Sequence, residues 1–177
     1  MEKKQIDLLI YMFEDVRART LKGISGLTKE QLFQTPLEGE WCIGSYLMHL
    51  AECDLAWLET LTGAGADEEL KKKSYYGVWH DCPEEEAHPP KDPPEVEEYL
   101  DTIAKCRAKL TEYVSSLSDE DLDGIVFRHK NYLGKVTNKQ YSRKWIITMM
   151  LQHEAHHRGQ MFMLIRMAGF KKKGENN

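Results

Sequence analysis

Apolar residues recur at three- and four-residue steps through four long stretches of the chain. In the first, Ile6, Leu9, Ile10, Phe13, Val16 and Leu21 mark one face of a helix from about Lys4 to Ile24. Gly23 and Gly26 punctuate its end. Thr28, answered by Gln31 three residues on, then predicts a short capped helix. A second long helix is predicted from Gly44-Ser45, with Ser45 as its cap, to about Leu61, before Gly63 and Gly65. The third opens with Asp92 as cap and Pro93 in the first helical position. Glu95, Glu97 and Glu98 follow at the positive end of its dipole, and it runs to about Leu117. Ser118 to Asp121 reads as another short capped turn. The fourth helix runs from about Ser142 to Met167 and stops at Gly169. Before it, residues 124–142 mix β-branched and aromatic residues around Asn131 and Gly134, which suits a small hairpin or an irregular loop.

Four long helices with short adjuncts predict an all-α fold, a four-helix bundle. Residues 62–92 are polar and carry Pro83, Pro89 and Pro90. A connection of about 30 residues is long for a compact domain, and long enough to cross the full length of a bundle. Residues 1–170 read as a single domain and 171–177 as a polar tail. The two halves echo each other. Leu27 to Leu32 resembles Leu117 to Leu122, Trp41 precedes His49 by eight residues, and Trp145 precedes His153 by eight. If the echo is a repeat, His49 and His153 hold equivalent places.

Composition narrows the function. Of 177 residues 41% are apolar and 30% charged, with a net charge of −5, so a nucleic-acid binder is not expected. The N-terminus lacks a signal-peptide stretch, and no run approaches the roughly 18 apolar residues of a membrane span. A cytoplasmic protein away from membranes is expected. Cys42, Cys53, Cys82 and Cys106 are scattered and read as reduced thiols.

The chemistry gathers in the fourth helix, in His153-Glu154-Ala155-His156-His157-Arg158-Gly159-Gln160. His153 and His157 stand one above the other on one face, about 40° apart in projection, while His156 lies about 60° to the other side. With His49 they suggest a three-histidine site. Neutral imidazoles suit a divalent transition metal, and three protein ligands leave a position open for water or substrate. Cys53, four residues after His49, leaves a closed His3Cys site as an alternative. The stretch also satisfies the HExxH pattern of zinc proteases, but only 20 residues follow His157 and none is His. Glu52 and Glu154 flank the ligand faces as a base or as salt-bridged side chains. Gln160 is placed to orient His157 or hold a water. Arg158 is expected to pair with an acid across the bundle, and Gly159 to allow close helix approach. Trp41, Trp57 and Trp145 read as core anchors, and Trp79 as a loop residue able to line a pocket.

Trp41, His49 and the ending His153-x-x-x-His157-Arg158-Gly159-Gln160 make the sequence resemble the DinB/YfiT-like metalloenzymes. The resemblance implies a four-helix bundle with up-down-down-up connectivity. It implies a divalent metal, Zn2+ or Ni2+, held by His49, His153 and His157, and a homodimer. It further implies a small-molecule substrate and thiol-dependent S-transfer to small electrophiles, with a low-molecular-weight thiol as co-substrate. A non-catalytic metal-binding stress-response module and a metal-dependent hydrolase are the alternatives. Residues 62–92 are longer and more acidic than the family pattern.

Overall fold

The stripe from Ile6 to Val16 is buried along one side of α1 (Lys4–Ile24), as its spacing requires. The computed structural model describes residues 4–74, 91–132 and 135–170. After α1 come α2 (Lys29–Phe33), α3 (Ile43–Thr62), α4 (Glu68–Lys73) and α5 (Val96–Ser116). A single 3-10 turn (Glu120–Asp123), the hairpin β1 (Ile125–Tyr132) and β2 (Lys135–Ser142), and α6 (Arg143–Met167) complete the order. Among the described residues no helix is long and apolar enough to cross a membrane.

The four long helices pack around two apolar clusters. One holds Ile24 of α1, Leu47 and Leu50 of α3, Tyr99 and Ile103 of α5, and Leu164 of α6. The other holds Ile6 and Phe13 of α1, Leu61 of α3, Leu110 and Val114 of α5, and Ile146 and Met150 of α6. α1 and α6 therefore begin in the second cluster and end in the first, whereas α3 and α5 begin in the first and end in the second. That is the up-down-down-up order. Parallel α3 and α5 need a connection that returns along the bundle, and α4 forms part of it. Residues 75–90 of that crossover, with Trp79 and Cys82, lie outside the described residues, as does the tail.

Local chemistry corrects three predicted boundaries. The cap of α3 is Cys42, whose sulfur accepts from the Ser45 amide at 3.4 Å, with Ser45 inside the helix. α5 starts at Val96 behind Glu95, because Pro94 biases Pro93 away from helical backbone. The crossover carries α4, capped by Asp67, where only polar loop was expected. The hairpin is formed, with Ile125 opposite Ser142 and His129 opposite Asn138. Trp41 and Trp145 are 42% and 46% exposed and do not anchor the core. Trp57, half-buried, packs edge-on to Tyr141 and Trp145 with Arg128 over its face.

Candidate metal centre

His49 lies nearly two turns inside α3, and His153 and His157 lie one turn apart in mid-α6. The antiparallel packing of α3 against α6 brings the three rings together. His153 Nε2 is 3.2 Å from His49 Nε2 and 3.0 Å from His157 Nε2. One ligand nitrogen from each falls within 4.8 Å of the others. His157 Nδ1 is 2.6 Å from Gln160 Oε1, so that nitrogen carries the proton and donates it, leaving a lone pair on Nε2.

Burial first, then the neighbouring imidazoles His157 and His49, hold His153 far below the ordinary histidine range, down to about 3. Burial likewise lowers His157 to about 4, against the upward pull of its bond to Gln160. Both rings are uncharged near neutral pH, the form that ligates metal.

This donor set fits a divalent cation. The Nε2 of His157 is unprotonated, and one proton on His153 Nε2 cannot point at both neighbours at once. A small cation answers all three lone pairs together. Nitrogens about 2.0–2.1 Å from one tetrahedral ion sit about 3.4 Å apart, close to the separations seen. Cys53 Sγ is 3.6 Å from His49 Nε2 and 3.9 Å from its Nδ1, beside the cluster.

The two flanking carboxylates are placed differently. Glu52 is buried beside the His49 ring, with Oε2 3.8 Å from Nδ1. Glu154 points into the bundle. Its Oε1 accepts from Arg17 Nε at 2.9 Å and its Oε2 from Arg107 Nη2 at 2.7 Å. Burial alone would raise its pKa, but the two guanidiniums outweigh that and hold it below the usual carboxylate range. The HExxH arrangement is therefore absent in space, because its glutamate is locked in ion pairs.

Asp54 of α3 completes that network. It receives Arg107 Nε and Nη2, each at 2.9 Å, and Arg17 Nη2 at 3.2 Å. Arg17, Asp54, Arg107 and Glu154 come one from each long helix and are at most 7% exposed. They lie between the two apolar clusters. Sequence reasoning missed three of them. The available signal was a charge inside an apolar stripe: Arg17 four residues after Phe13, Arg107 four after Ile103, Asp54 four after Leu50.

Arg158 donates to the Val16 carbonyl at 3.3 Å, and no acid partner is seen for it among the described residues. A Cβ on Gly159 would meet nothing within 4 Å, so this glycine does not serve close helix approach. Beside the histidines, Gly39, Glu40, Trp41, Tyr46, His157 and Gln160 line an open pocket of about 340 Å³.

Residues 12–161 match the DinB superfamily. No curated protein matches the sequence. Several solved structures share the fold. A conserved protein from Enterococcus faecalis superposes with a TM-score of 0.70 at 19% identity, covering 97% of this chain and 99% of its own. A DinB-like protein from Bacillus cereus gives 0.63 at 22% identity, covering 95% of each chain. YfiT from Bacillus subtilis gives 0.60 at 18% identity, covering 97% of this chain and 91% of its own. YfiT is described as a probable metal-dependent hydrolase with an unusual four-helix bundle topology. By its matched span and its three-histidine bundle, the chain belongs to the DinB superfamily.

Proposed function

We propose that the protein is a divalent-metal-dependent enzyme of small molecules, with His49, His153 and His157 as ligands and Zn2+ or Ni2+ as the ion. The reaction we propose is transfer of a low-molecular-weight thiol to an electrophile. The observation that carries this reading is the convergence of three imidazole nitrogens beside an open pocket. An ion there supplies Lewis acidity, lowering the pKa of a thiol or water on its open side.

The chain's own residues do the rest. Gln160 fixes the His157 tautomer. Trp41 and Tyr46 give the pocket aromatic walls, and Glu40 and Gln160 a polar edge. Glu154, held by Arg17 and Arg107, is not available to take a proton from water. A thiol, with an ordinary pKa near 8.5, needs far less help to ionise than water, which favours thiol transfer. Among the described residues Cys42 and Cys106 carry free thiols, in keeping with the reducing, cytoplasmic setting we propose. Hydrolysis is the second reading, favoured by the description of YfiT.

The test is His153→Ala against His156→Ala, with metal read by plasma mass spectrometry, helicity by circular dichroism, and conjugation by a panel of bacterial thiols with a generic electrophile. His153→Ala is expected to stay helical, lose its metal and lose conjugation. His156→Ala, exposed and off the cluster, keeps its metal. Full metal occupancy in His153→Ala overturns the ligand assignment. A loaded wild type that conjugates no thiol but cleaves an activated ester moves the reaction to hydrolysis.

A further inference from the structure

We propose that the buried quartet Arg17, Asp54, Arg107 and Glu154 sets the geometry of the metal centre, by locking α3 and α6 in axial register so that His49 meets His153 and His157. This rests on the metal-binding reading above. The four are positioning residues: they touch neither the rings' Nε2 atoms nor the pocket.

Stability alone does not account for them. Four charges taken from water are costly, and well-packed apolar side chains of similar volume generally hold a core as well or better; fixing a register is the better-attested use of such groups. The placement fits that use. The carboxylates lie on the two helices that carry the histidines, and the guanidiniums on the two that do not. Each arginine spans both carboxylates. Arg17 reaches Glu154 at 2.9 Å and Asp54 at 3.2 Å. Arg107 forks onto Asp54 at 2.9 Å and reaches Glu154 at 2.7 Å. Arg17 Nη1 also donates to the Ile103 carbonyl at 2.7 Å, fixing the guanidinium to α5.

The lever arms are short. Glu154 directly follows His153, so holding one backbone position holds the other. Asp54 follows His49 by five residues, about 7.5 Å along α3. A slip of one residue would carry a histidine about 1.5 Å along the axis and about 100° around it. A metal site needs its donors within about 0.2 Å. Apolar contacts are non-directional and tolerate drift of that size. A planar guanidinium holding two carboxylates does not.

Two variants test this. Arg17→Met/Glu154→Gln removes one charge of each sign and leaves the Arg107–Asp54 fork. Arg107→Lys keeps the charge and loses the fork. Each is compared with wild type for helicity, for Co2+ affinity and visible spectrum, and, without metal, for the imidazole 15N resonances. Both variants are expected to remain helical, to bind Co2+ about 10–100-fold more weakly with an altered visible spectrum, and to show shifted imidazole resonances. Helical variants with wild-type affinity and spectrum overturn the proposal, and wild-type behaviour of Arg107→Lys alone does so too, since charge balance without the fork would then suffice. Loss of helicity in both variants overturns it too, since the quartet would then hold up the bundle as a whole. A wild type that takes no Co2+ refutes the metal reading instead. The quartet's role is then decided by the imidazole resonances, and variants that leave them unmoved refute it.

Discussion

At His157 a single hydrogen bond decides which nitrogen is offered to the cluster. Gln160 Oε1 accepts from Nδ1 at 2.6 Å, which keeps the Nε2 lone pair turned toward His153. Gln160→Ala frees the ring to turn and to change tautomer. We expect Zn2+ affinity to fall about 10–100-fold with helicity unchanged, measured by competition with a chromophoric chelator. Gln160→Glu, which keeps an acceptor, should lose much less. At this scale the sequence was readable where residue type and spacing act together. The His153/His157 pair follows from helical pitch, and His49 from its place eight residues after a tryptophan. The arginines were not readable, because a lone Arg in an amphipathic helix looks like a residue of the wet face. Only its angle, shared with Phe13 or Ile103, places it inside. Position 107 follows position 17 by 90, the same step as from Leu27 to Leu117, so the two arginines belong to the echo between the halves.

Between elements, the approach of α3 to α5 is set by one missing side chain. A Cβ on Gly44 would lie 2.7 Å from the ring and hydroxyl of Tyr99, which is 1% exposed and cannot swing away. Gly44→Ala is therefore expected to destabilise the protein by about 1–3 kcal/mol, less a small gain in helix propensity, as read from urea unfolding. Gly159→Ala is the opposite case. Mid-helix, exposed and with space around its missing Cβ, it should gain up to about 1 kcal/mol. A neutral Gly44→Ala would show that the α3–α5 packing is loose. Long elements were legible because periodicity accumulates over five or six turns. Their ends were less so. A cysteine sulfur as a helix cap and two successive prolines are decided by a few atoms, and α4 is too short to show a period.

For the whole molecule, charge buried in the bundle makes acid a probe of the fold. His153 and His157 titrate near 6.5 in an unfolded chain, and burial holds them at about 3 and about 4 in the folded one. Below pH 6.5 the unfolded state therefore takes up protons that the folded state does not, and stability falls as pH falls. Glu154, held below its usual value, adds a second loss below about pH 4.5. For chelated protein the urea midpoint should be clearly lower at pH 5 than at pH 7.5; a flat profile would show that the rings are charged or exposed. We also propose a homodimer. Leu8, Tyr11 and Met12 of α1 and Trp145 of α6 are all more than 40% exposed, apolar side chains that a second copy would cover. Light scattering at micromolar concentration should give twice the chain mass; the mass of one chain counts against it. The same architecture also has a consequence in time. His49 and His153 stand 104 residues apart, and the second sits on α6. During synthesis from the N-terminus, α1, α3 and α5 can gather before α6 exists, but His49 then lacks the other two imidazoles and Asp54 has only the two arginines. Any ion the three imidazoles take together is taken only once α6 has docked on α3, so metal capture would report that docking event rather than the earlier gathering of the other three helices.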